Sequence, residues 1–75
     1  MRNKVLTSLH NSEADRCVDI FVREDGTFGF EEYRRDHEDG KGWFPLNRYS
    51  KQVFQSQEDA IVRARVTVQW LFEQK

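Results

Sequence analysis

Two stretches near the middle of the chain alternate apolar and polar residues, and they lie back to back. Cys17-Val18-Asp19-Ile20-Phe21-Val22-Arg23 and Thr27-Phe28-Gly29-Phe30-Glu31-Glu32-Tyr33 flank Glu24-Asp25-Gly26. Period-two patterning on either side of a glycine-containing turn predicts a β-hairpin over 17–34, because glycine takes the φ > 0 position that such loops need. Loop length then sets the register. A two-residue Asp25-Gly26 loop pairs Val22 with Gly29 and Ile20 with Glu31, which places carboxylates on the aliphatic face. A three-residue loop with Gly26 as a G1 bulge pairs Arg23 with Thr27, Val22 with Phe28, Ile20 with Phe30 and Val18 with Glu32. Val18, Ile20, Val22, Phe28 and Phe30 then share one face. Cys17, Asp19, Phe21, Arg23, Gly29, Glu31, Tyr33 and Arg35 share the other, with Phe21 over the bare backbone of Gly29. That second face is mixed and expected to be wet.

Towards the C-terminus the period changes. Ser56 is a capping hydroxyl, Glu58 and Asp59 are first-turn acids, and no Gly or Pro follows, so a helix is predicted over 57–73. At about 100° per residue, Ala60, Ile61, Ala64, Val68, Leu71 and Phe72 cluster on one side and are expected to face the sheet. Val62, Val66 and Trp70 form a second apolar stripe. One sheet does not explain it, so it is a candidate protein-interaction surface for a partner or a second copy, with Trp70 as anchor. The N-terminal segment is the other candidate cover, laying Val5, Leu6 and Leu9 on the stripe.

The remaining segments are less regular. Residues 1–16 fit an edge strand or a docked arm, 36–42 a polar connector, 43–46 a third strand confined by Pro45 to an edge or a strand start, and 52–55 a short strand. The expected fold is α+β, a small antiparallel sheet of about three strands packed on one C-terminal helix, in a single domain spanning 1–75.

Size and composition narrow the classes. A chain of 75 residues buries only about 60% of the surface it exposes when unfolded, enough for one small core. The longest apolar runs are three residues (20–22, 60–62 and 70–72), far short of the ~20 of a membrane span or the roughly 7–15 of a secretory h-region. One cysteine in so short a chain points to the cytosol. With 12 Lys plus Arg against 13 Asp plus Glu, no global charge draws the protein to phosphates.

Candidate chemistry is sparse. Cys17, His10 and His37 are scattered without metal-ligand spacing, and Asp36-His37-Glu38-Asp39 lacks the oxygen-ligand alternation of a calcium loop, so no metal or cofactor is expected. Cys17 with His37 is a possible nucleophile and base, but nothing near Cys17 in sequence lowers its pKa, and a structural thiol is the better reading. Asp19 and Glu31 sit opposite each other in the bulged register. They fit an acid–base pair, a grip on a cationic group, or a surface cluster neutralised by Arg23, Arg35 or a basic residue from the third strand, and the last is expected.

The string Phe28-Gly29-Phe30-Glu31-Glu32-Tyr33 resembles the second half of the RNP1 signature of the RNA recognition motif. Gly26 stands where that family has a basic residue and Glu31 where it has an aliphatic one, and Phe28 and Phe30 are directed into the core. Nucleic-acid binding is therefore the alternative, resting on a local patch of Arg34, Arg35, Lys41, Trp43, Arg48, Tyr49 and Lys51 that would take single-stranded RNA or DNA.

Finally, Arg16-Cys17-Val18-Asp19-Ile20-Phe21, continued by Asp25-Gly26-Thr27-Phe28-Gly29-Phe30-Glu31-Glu32-Tyr33-Arg34-Arg35-Asp36 and by Trp70-Leu71, resembles small hypothetical bacterial proteins over residues 16–72. That group carries no assigned activity. The resemblance implies a bacterial cytosolic single domain and transfers no functional residue. Taken with the sparse chemistry, it leaves a non-catalytic interaction or regulatory accessory module as the expected function.

Overall fold

The computed structural model describes residues 3–36, 38 and 42–73. Its elements are β1 (Lys4–His10), β2 (Arg16–Val22), β3 (Phe28–Arg35), β4 (Trp43–Pro45), α1 (Gln57–Thr67) and α2 (Gln69–Glu73). The strands make one antiparallel sheet in the order β1-β2-β3-β4. This is the expected α+β class with one strand more than the three anticipated.

The β2–β3 hairpin has the bulged register. Val22 pairs with Phe28, Ile20 with Phe30 and Val18 with Glu32. The Arg23 amide donates to the Thr27 carbonyl at 2.8 Å, the Gly26 amide to the Arg23 carbonyl at 3.0 Å, and Gly26 has φ +87°. Across the hairpin a Cβ on Gly29 would lie 2.9 Å from the Phe21 ring, so the ring rests on bare backbone.

Val18, Ile20 and Phe30 are fully buried and form the core with Ala60, Ala64, Val68 and Leu71 of the helical layer. Alanines at the two contact turns of α1 let its backbone approach the sheet closely. Phe30 is also stacked between Tyr49 and Phe54, with centroids 5.1 and 5.8 Å away.

The helix expected over 57–73 is interrupted. Val68 is extended (φ −86°, ψ 112°), and its carbonyl accepts from the Leu71 and Phe72 amides as α2 begins. No Gly or Pro causes this. Val66-Thr67-Val68 is a β-branched run with lowered helix propensity, and Val68 and Leu71 stay buried across the break. Reorientation of α2 corrects two assignments: Phe72, expected in the core, is 61% exposed, and Trp70, expected on the outer stripe, is half-buried against the core.

Residues 4–10 are an edge strand on β2, not an arm over the stripe. Leu9 packs on the core, while Val5 and Leu6 remain exposed beside a register shift between Val5 and Thr7.

Candidate functional site

The sheet face turned away from the helices is the first candidate. It is much drier than expected: Cys17, Phe21 and Gly29 are buried and Glu31 is only 2% exposed. The chain leaves β4 with the Leu46 amide bonded to the Glu32 carbonyl and rejoins β3 at the Phe28–Phe54 bridge. Between these points it bows away, and the Glu31 carboxylate fills the gap. Its two oxygens accept the amides of Arg48 (3.2 Å), Tyr49 (3.1 Å) and Ser50 (2.9 Å), together with that of Glu32 (2.8 Å). Asn47, at φ +57°, turns the backbone so that three successive N–H groups converge on one anion. Arg23 secures the same segment by donating to the Ser50 and Gln52 carbonyls.

Asp19 lies opposite Glu31 in the register, as expected, but among the described residues neither forms an ion pair with an arginine. Asp19 Oδ1 accepts from Ser8 Oγ at 2.7 Å and from Cys17 Sγ at 3.1 Å. Burial, and then the hydrogen bond and negative charge of Asp19, push the Cys17 thiol up to about 12. Tyr33 is raised by burial and by the nearby Asp19, Glu31 and Cys17. A thiol held in this way stays protonated at neutral pH and is a poor nucleophile. His37, its suggested base, lies outside the described residues. Among the described residues, no group of three or more His, Cys, Asp and Glu side chains is placed to hold a metal ion.

Of the residues of the nucleic-acid alternative, Arg35 and Trp43 come together, and they and Tyr49 are engaged within the fold. Tyr49 is turned onto Phe30. Arg35 donates to the Ala14 carbonyl at 2.9 Å and stacks over Trp43 at 4.8 Å, and Trp43 also meets His10 edge-on at 5.8 Å. Arg34, one residue along β3, is directed to the opposite sheet face. Arg48 and Lys51 are exposed on the segment after β4, and Lys41 lies outside the described residues.

The outward side of α1 is the second candidate. Ser56 caps the helix by accepting the Asp59 amide at 3.1 Å. With Ala60 and Ala64 against the sheet, Val62 and Val66 are left 56% exposed each. They line an open groove of about 450 Å³ with Val53, Phe54, Asp59 and Arg63. Sequence reasoning placed Val62 and Val66 on this stripe but missed Val53, which the Phe28–Phe54 bridge brings alongside.

Trp70 does not belong to that groove. Its indole N–H donates to Glu32 Oε2 at 2.8 Å, and Arg16 approaches the same oxygen at 3.8 Å. A second, more polar hollow of about 400 Å³ has Arg16 and Trp70 in its wall, both engaged with Glu32.

No family model, curated protein or solved structure matches the chain. No helix among the described residues is long and apolar enough to cross a membrane.

Proposed function

We propose that the protein is a non-catalytic protein-interaction module, acting as a regulatory accessory in the cytoplasm, and that α1 is its contact face. One observation carries the reading. Val62, Val66 and Val53 form a contiguous apolar patch more than half exposed, whereas Cys17, Asp19 and Glu31 on the opposite face are hydrogen-bonded within the fold. Apolar patches rimmed by charge are the usual signature of association surfaces. The buried, hydrogen-bonded Cys17 and Glu31 suit structural roles better than turnover.

Site-specific photocross-linking tests it. A benzophenone side chain at position 66 is expected to give a discrete adduct in cells, lost on Val62→Asp, while the same group at position 24 on the hairpin tip gives none. Absence of any adduct at 66 overturns the reading. No observation favours single-stranded nucleic acid over this, since Arg35, Trp43 and Tyr49 are spent on contacts within the fold.

A further inference from the structure

The charges around the α1 patch carry an inference that rests on the interaction reading and specifies the partner. The exposed side of α1 is acidic at its start, with Glu58 and Asp59, and basic towards its end, with Arg63 and Arg65. None of the four joins an ion pair among the described residues. At about 100° per residue, Asp59, Arg63 and Val66 lie on one flank of Val62, and Glu58 and Arg65 lie on the other.

We infer that the occupant of the α1 groove is a second copy of the chain, docked with the two α1 helices antiparallel about a two-fold axis through Val62. This operation keeps each flank on its own side and reverses direction along the helix. Asp59 of one protomer then comes beside the partner's Arg63, and Glu58 beside the partner's Arg65. The mirrored pairs complete four contacts around a centre of Val62 and Val66. A closed two-fold interface requires a self-complementary patch, and an acid-to-base gradient flanking an apolar centre is one. A parallel arrangement would set acid against acid and base against base.

A charge-exchange experiment decides it. One variant carries Glu58→Lys and Asp59→Lys, the other Arg63→Glu and Arg65→Glu, and mass is measured by sedimentation with circular dichroism as the control for folding. All four positions are exposed, and circular dichroism reports whether α1 survives the loss of its first-turn acids. The wild type is expected as a dimer in rapid exchange. Each variant alone is expected as a monomer, and an equimolar mixture regains the dimer mass, because every cross-pair is again opposite in sign. Val66→Glu is expected to be monomeric alone and in any mixture. Charge variants that dimerise alone, or a mixture that stays monomeric, overturn the arrangement. A wild-type monomer up to millimolar concentration overturns self-association. In that case a cross-link from position 66 to a different protein leaves the interaction reading intact, and no cross-link removes both.

Discussion

Trp70 donates its indole N–H to the Glu32 carboxylate at 2.8 Å, bridging α2 to the inner strand β3. A straight helix over 57–73 would leave Trp70 in line with Val62 and Val66. The break at Val68 instead turns it inward and gives the nearly buried carboxylate a donor. Trp70→Phe keeps much of the apolar body and removes that donor. Losing a hydrogen bond to a buried charged group costs about 1–3 kcal/mol, so urea denaturation should show a drop of that size. A change below about 0.5 kcal/mol would mean water replaces the indole without loss.

Glu31 is the acceptor for four backbone amides, three of them in a segment with little regular structure of its own. Glu31→Ala should destabilise by roughly 2–4 kcal/mol, because water can reach only some of the abandoned N–H groups. Hydrogen exchange at Tyr49 and Ser50 should accelerate with it. Unchanged protection there would show that Arg23, the Phe28–Phe54 bridge and the Tyr49–Phe30 contact hold the segment without Glu31.

At Gly26 the φ of +87° sets the cost of substitution, since a Cβ there meets nothing within 4 Å. Gly26→Val should therefore cost about 1 kcal/mol or more, and Gly26→Asn much less, because asparagine tolerates the left-handed region. Equal melting temperatures for the two variants would contradict backbone strain as the cause.

Phe30→Ala removes a fully buried ring stacked between Tyr49 and Phe54 and should cost about 3–5 kcal/mol, enough to unfold much of the population of so small a domain. A near wild-type melting curve would place Phe30 outside the core.

The thiol of Cys17 links stability to alkaline pH. Its value rises on folding from 9.0 to about 12, so the folded form keeps a proton that the unfolded chain has lost. Stability is complete below about pH 9 and declines as pH rises towards 12, with Tyr33 adding in the same direction. Thermal melts across this window should show Cys17→Ala losing less stability than the wild type. A parallel decline in both would mean Cys17 ionises freely in the folded protein.

The hairpin was legible because its determinants are local: a single glycine at the turn and a two-residue alternation admit only one register that keeps Val18, Ile20, Phe28 and Phe30 together. β1 was not, since the register shift between Val5 and Thr7 interrupts its alternation. The break at Val68 is marked locally only by the β-branched run Val66-Thr67-Val68, and the Glu32 carboxylate that Trp70 meets beyond it lies more than thirty residues earlier. Glu31 looked like half of a like-charge pair because its amide partners lie 17 to 19 residues further along. Of the predicted interaction stripe, Val62 and Val66 stand where the helical period places them, and Trp70 was lost to that same break.

The central claim is that two copies of the chain meet through the outer face of α1 and not through the Trp70 surface. Amide and indole shifts followed by NMR over a dilution series of the wild type test it directly. The account predicts concentration-dependent shifts confined to residues 58–66 and Val53, with the Trp70 indole signal stationary. Shifts centred on Trp70 or on β1, or none at any concentration, would contradict it.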